Sequence, residues 1–267
     1  MPLWVYNVPP PVLALLMVVT IAGVSLVGLL LTRRFLLPRI NYHDGVNDAI
    51  SGTVQTIGVF YGLTVGLIAV GVWNTNSNAA DLVSKEAASI GVLHQDIGGY
   101  PSPLREELRA KLRDYTVFLI DVAWPEQRLG RVERSDRRIL DDFQAKLYGF
   151  EPATPGQAGL HTETLATYNK LVEHRRLRVD AVLGGLSGIM WSVIWIGAVI
   201  SIGVAYLYRI EDAKLHSLLI ALTSGFLAVV LFMIVINDKP FYGTVSVSPE
   251  AYKLILDQVA EPKGGRP

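Results

Sequence analysis

The chain has 267 residues, 24 basic against 24 acidic side chains, 51% hydrophobic residues and a mean hydropathy of +0.35. Balanced charge leaves no field to recruit nucleic acid or an acidic partner, and the absence of cysteine excludes disulfides, thiolate metal sites and cysteine nucleophiles. A hydropathy this high, gathered into runs, points to a membrane protein.

The first run, residues 12–31 (VLALLMVVTIAGVSLVGLLL), has the roughly 20 apolar residues that cross a bilayer as a helix. No basic stretch precedes it, and Arg33-Arg34 stands where a leader would carry its cleavage site, so it reads as a retained helix. A short loop, residues 33–50, leads to the second run, 51–73. Residues 74–182 form a polar block that reads as helices. Leu82, Ile90, Leu93 and Ile97 share one face of a helix over 80–97. A second helix covers 103–122, with Ser102 as N-cap, Pro103 at the first position and Glu106-Glu107 in the first turn. A third spans 135–148, and a fourth, 155–182, runs into the third apolar run, 183–208. The loop Arg209–Lys214 then joins the fourth run, 215–236, and a tail closes the chain.

These elements predict an all-α polytopic membrane protein with four transmembrane helices in a 2+2 arrangement and an intervening helical extramembrane domain. The parts are an N-terminal hairpin (1–73), the helical domain (74–182), a C-terminal hairpin (183–237) and a tail (238–267), working as one unit. The short loops then lie on one side of the membrane, and the N-terminus, polar block and tail on the other. Arg33, Arg34, Arg39, Arg209 and Lys214 lean the short loops toward the cytoplasm, but Lys170, Arg175, Arg176, Arg178 and Lys239 nearly balance them from the other side.

The second run, TVQTIGVFYGLTVGLIAVGVW over 53–73, carries two specialised faces. At about 100° per residue, Thr53, Thr56, Thr64, Leu67 and Gly71 fall within about 40° of Phe60, and Gly58, Gly62 and Gly66 fall opposite. The glycines permit close helix approach, against the first or third helix or between subunits. The threonines are either tolerated by bonding their own backbone, or they line a water-filled path. In the second case Thr53, Thr56, Phe60, Thr64 and Leu67 face the path, Phe60 forms a constriction that gates by dewetting, and a homo-oligomer is required to enclose it. The four spans hold no Asp, Glu, Lys or Arg, with only His216 at an edge, which argues against charge-coupled transport.

Arg175, Arg176 and Arg178 could meet lipid phosphates or draw anions at a vestibule, or form a solvated face paired with Glu173 and Asp180. Asp44 and Asp48 read as caps of the second helix rather than as a metal site with His43. His161 and His174 are expected to face solvent. No catalytic triad, phosphate loop or dinucleotide fingerprint is present, so neither an enzyme nor a cofactor is expected.

Together these residues resemble the bacterial branch of the bestrophin-like family. The resemblance is carried by Arg33-Arg34, Asn47-Asp48, Gly58…Tyr61…Trp73, Glu86-Ala87, Trp124-Pro125, EPATP at 151–155 and Arg175-Arg176-Leu177-Arg178. It continues through Asp238…Pro240-Phe241…Gly243 and Ser248-Pro249-Glu250. More distantly the chain is similar to the bestrophin anion channels, pentamers of the same layout whose second helix lines the pore with a hydrophobic neck. Phe60-Tyr61 and Trp73-Asn74 correspond to pairs of that family, at a different spacing. The resemblance implies a pentameric homo-oligomer in the lipid bilayer of a bacterial inner membrane, passing small inorganic ions, anions above all, with the helical domain in the cytoplasm. Bestrophins clasp calcium with an acidic run after the fourth helix. Here INDKPFYG at 236–243 is followed by TVSVSPE, too few carboxylates for such a cage, so no calcium activation by that route is expected. The function expected is an ion channel. The alternative is a non-conducting membrane-anchored scaffold or sensor acting through the helical domain.

Overall fold

The computed structural model describes residues 3–40, 43, 45–132 and 136–260, and among these there is no strand. The chain divides into two compact units, Met1–Thr75 with Gly185–Asp238, and Asn76–Gly184 with Lys239–Pro267.

The first unit is built from α1 (Pro10–Leu31), the opening part of α2 (Val46–Ile97), α7 (Gly188–Ala205) and α8 (Ala213–Asn237). Among the described residues four helices are therefore long and apolar enough to cross a membrane. α1 begins with Pro10 and Pro11, whose missing N–H groups would be unpaired there in any case. α8 is capped by Asp212, whose Oδ1 accepts from Lys214 N at 2.8 Å and Leu215 N at 3.4 Å.

α1 lies along α8. Val65, Ala69 and Val72 of α2 pack with Ile194 of α7 and Leu231 and Ile234 of α8, and Met17 and Ile21 of α1 flank them. At one end Asn47 pairs reciprocally with Arg209, Nδ2 donating to its carbonyl and Oδ1 accepting from its N–H, both at 3.1 Å. Arg33 joins the same loop, donating to the carbonyls of Ile210 at 3.2 Å and Glu211 at 3.4 Å. At Asp238 the carboxylate accepts from Tyr6 Oη at 3.0 Å and from Leu186 N at 2.6 Å. The outward sides of these helices carry Val24, Val199 and Phe226, about 70% exposed (68%, 69% and 72%). Such a surface is a liability in water and ordinary against lipid.

The second unit comprises the remainder of α2, α3 (Leu104–Phe118), α4 (Trp124–Arg128), α5 (Asp136–Tyr148), α6 (Pro155–Leu183) and α9 (Glu250–Ala260). Its core gathers Ile90, Leu93 and Ile97 of α2, Leu108, Leu112 and Tyr115 of α3, Phe143 and Leu147 of α5, Leu171 of α6 and Tyr252 of α9. Trp124 stacks edge-on against Phe241 and Tyr252, with centroids 5.7 and 5.5 Å away, and its indole N–H reaches Val247 O at 3.2 Å.

Inside that core sits an ionic knot. The Glu86 carboxylate accepts from Arg178 Nε at 2.6 Å, Tyr115 Oη at 2.6 Å and Tyr252 Oη at 3.0 Å, and both charged side chains are fully buried. The sequence places Arg178 with Arg175 and Arg176 on a face toward lipid or a vestibule, or on a solvated face paired with Glu173 and Asp180. Arg178 turns inward instead, because α6 packs this flank on α2, where Glu86 offers the opposite charge. A desolvated pair of this kind holds only while its hydrogen bonds are made.

Other departures have local causes. The expected helices over 51–73 and 80–97 are one 52-residue helix. The intervening NTNSN contains neither proline nor glycine to break it. α6 does not run into α7. Gly184 and Gly185, the latter at φ +140°, interrupt the helix, and Ser187 caps the next one by accepting from Met190 N at 3.3 Å. α3 starts at Leu104 with Pro103 in the cap position, and Ser102 is not the cap. The helical path past α3 continues through a wide turn, Leu119–Ala123, so that Pro125 enters α4 near its start, where its absent N–H is harmless. His161 and His174 are half-buried rather than solvent-facing, hydrogen-bonded to Tyr100 Oη at 2.8 Å and Ser89 Oγ at 3.0 Å. Asp44, the expected cap, and Ser135, the expected first residue of the third helix, lie outside the described residues.

Removing one member of the buried pair strands the other. Arg178→Met is expected to cost about 3–5 kcal/mol in denaturant melts, with much of it recovered in the Glu86→Leu/Arg178→Met double variant. Burial first, and the Glu86 charge second, hold the Tyr115 and Tyr252 phenols well above the ordinary tyrosine value. Folded protein thus keeps protons that an unfolded tyrosine releases near about pH 10, so stability is intact below that pH and falls as pH rises above it. Melts across that window should show a shallower alkaline decline for Tyr115→Phe or Tyr252→Phe.

Candidate functional site

The membrane part of α2 has a buried seam and two open faces. The seam is Tyr61, Val65, Ala69 and Val72, and it meets α7 and α8. Tyr61 is its anchor. The ring lies over Gly197 of α7, where an added Cβ would meet ring carbons at 2.4 Å, and the hydroxyl donates to Ile194 O at 2.9 Å. A second close approach occurs at Gly28 of α1, where an added Cβ would stand 2.7 Å from Tyr206 Oη. The glycines that admit a neighbour inside this unit are therefore Gly197 and Gly28.

Gly58, Gly62 and Gly66 have open space where a Cβ would project. The Tyr61 seam is what meets α7 and α8; Gly58 borders a groove between these helices without touching them, and nothing lies within reach of an added Cβ at Gly62 or Gly66. The other open face holds the threonine stripe. Phe60 and Leu67 are 67% and 66% exposed, Thr53 and Thr56 are exposed and Thr64 is half-buried. Each threonine hydroxyl donates to a carbonyl one turn back: Thr53 to Ala49 at 3.0 Å, Thr56 to Gly52 at 2.8 Å and Thr64 to Phe60 at 2.8 Å. Each oxygen keeps lone pairs free to accept from water. The stripe carries hydrogen-bonding groups and a bulky aromatic, with no ionisable side chain.

Exposed Asn74 and Thr75 extend the stripe beyond Trp73, Asn74 within about 40° of Phe60 by the helical period. Asn74 carries part of the family likeness, but both residues follow the apolar run, so the stripe drawn over 53–73 does not include them. Leu67, Gly71 and Thr75 also border a groove of about 440 Å³ closed by Leu186, Met190 and Asp238. In the second unit Arg176 is exposed and Arg175 half-buried, and Arg178 is the buried partner of Glu86. The structure does not bring these three together as one face. Among the described residues no cluster of three or more His, Asp or Glu could hold a metal.

Compared with known families, residues 19–252 match the Bestrophin-like domain. No curated protein and no solved structure matches the chain.

The two kinds of glycine should respond oppositely to one methyl group. Gly197→Ala must displace the clamped Tyr61 ring and is expected to cost about 1–3 kcal/mol, whereas Gly62→Ala should leave the melting of the detergent-solubilised protomer unchanged or slightly raised. Thermal melts of the two variants check this.

Proposed function

The chain belongs to the bestrophin-like family, and from that premise we propose that it is a homo-oligomeric ion channel, anion-conducting, with its conduit between the α2 helices of the assembled copies. The observation that carries the proposal is the position of the stripe. Thr53, Thr56, Phe60 and Leu67 lie on the outer surface of the protomer, while α2 packs through its other side. A surface stripe encloses nothing within one subunit and becomes a conduit when copies close into a ring. Likeness to the bestrophin anion channels favours five.

In such a ring the Phe60 side chains form the apolar constriction, and the Thr53, Thr56 and Thr64 hydroxyls hydrate the path beside it. No carboxylate lies on the stripe to repel an anion. Gly62 and Gly66, open in the protomer, supply flanks where neighbouring copies approach closely. Arg175 and Arg176 meet lipid phosphates or draw anions toward the entrance. The topology is 2+2: the short loops share one side of a bacterial inner membrane, and the helical domain lies on the cytoplasmic side with the termini. Residues 1–73, 74–182, 183–237 and 238–267 then act as one channel unit.

The second reading is a membrane-anchored scaffold or sensor that does not conduct. It is favoured by the threonine hydroxyls, each of which is already bonded within its own helix.

Planar-bilayer recordings separate the two. Purified oligomer should conduct, and Phe60→Ala should raise the conductance several-fold by widening the constriction. If a verified ring stays silent in both wild type and variant, the channel proposal fails and the scaffold stands.

A further inference from the structure

A second groove in the membrane unit, about 350 Å³, lies between α2, α7 and α8. Val54, Gly58, Leu219 and Ile220 form its apolar wall, and His216 and Tyr208 also line it. Gly58 contributes open space rather than a contact. Ser201 lines the same groove with a buried Oγ that has no hydrogen-bond partner.

That orphan stands apart from most hydroxyls on these helices. Thr53, Thr56, Thr64, Ser192, Ser217, Thr223 and Ser224 all donate to the carbonyl one turn back. Ser201 does not. A buried hydroxyl left unsatisfied costs about 1–3 kcal/mol, and a ligand bearing an acceptor would relieve it.

A cation stands beside His216, one of the groove's lining residues. Arg33 Nη1 donates to His216 Nδ1 at 3.3 Å and to Ile210 O, and Nη2 to Glu211 O. His216 Nε2 meets Ala205 O at 3.4 Å, which assigns its proton to Nε2 and leaves the ring neutral. The Arg33 charge is thus held by neutral acceptors, and among the described residues no carboxylate forms an ion pair with it. The nearby Asp212 carboxylate is occupied in capping α8.

We propose that this groove is a binding slot for one anionic phospholipid of the leaflet on the short-loop side. The phosphate sits at Arg33, an ester oxygen accepts from Ser201 once that hydroxyl rotates into the groove, and an acyl chain lies along Val54, Gly58, Leu219 and Ile220. The apolar wall selects a lipid over free phosphate, which would leave Ser201 unsatisfied. The uncompensated charge selects an anionic headgroup over a zwitterionic one.

Native mass spectrometry of the full-length protein in detergent, with added phosphatidylglycerol or phosphatidylcholine, tests the slot without reference to conduction. Phosphatidylglycerol should be retained at least about fivefold better, and thermal melts should rise with it alone. Arg33→Gln should abolish that preference. Ser201→Ala, which only removes the orphan, should weaken retention by about two- to tenfold, the value of one hydrogen bond. Ser201→Leu should fill the slot and release the lipid, with circular dichroism and size exclusion reporting its fold. Equal retention of both lipids by wild type, unaltered retention in Ser201→Ala, or the same thermal stabilisation by inorganic phosphate alone would each overturn the proposal.

Discussion

The second unit depends on one buried carboxylate. Glu86 sits where α2, α3, α6 and α9 meet, and each of the other three helices sends it a donor: Tyr115, Arg178 and Tyr252. An apolar side chain in that place would tolerate neighbours of many shapes. A desolvated carboxylate accepts only an arrangement that returns the hydrogen bonds it gave up in water. The apolar residues around it supply most of the driving force for collapse, and the knot restricts which collapsed arrangement is acceptable. Trp124 and Phe241 close the side nearest Tyr252, so the segment after α8 is part of this core rather than an appendage.

The membrane unit is organised differently. Among helices in lipid, apolar surface alone does not select a partner, and the specific contacts here are a ring set over a glycine and a few polar clamps. Tyr61 over Gly197 fixes α2 on α7, Asn47 and Arg33 fasten the loops at one end, and Asp238 gathers Tyr6 and Leu186 at the other. What these contacts leave outside is as informative as what they join. The glycine ladder and the threonine stripe are both left available on α2, which meets the rest of its chain in this unit along one seam.

Much of this was legible in residue order, and the remainder was hidden for identifiable reasons. The apolar runs locate α1 and α8 within about two residues, because bilayer length is a local property of the chain. EPATP correctly marks the start of α6, where Thr154 Oγ1 accepts from Gln157 N at 3.2 Å and Gln157 Oε1 accepts from Ala153 N at 2.8 Å. Arg178 looked like one of three surface cations because its partner lies 92 residues away and nothing near it signals burial. The ladder reads in sequence as a packing face of either kind, within the subunit or between subunits, since a glycine does not say which neighbour it admits. Gly197 drew no notice for the same reason. His161 and His174 depart from the expected solvent-facing positions because Tyr100, in the turn after α2, and Ser89, on α2, reach them. Several residues that carried the family likeness prove to be joints, among them Asn47, Tyr61, Glu86, Trp124 and Asp238.

The knot also imposes an order on biosynthesis. Glu86 and Tyr115 leave the ribosome early, Arg178 much later, and Tyr252 only after α7 and α8 have been made. Arg178 supplies the counter-charge before α7 and α8 are made, but the last donor, Tyr252, comes only after them, so the second unit cannot complete its knot ahead of those helices. Synthesis of those helices therefore precedes final closure, and α9 adds the last donor to a carboxylate that the earlier helices have already surrounded.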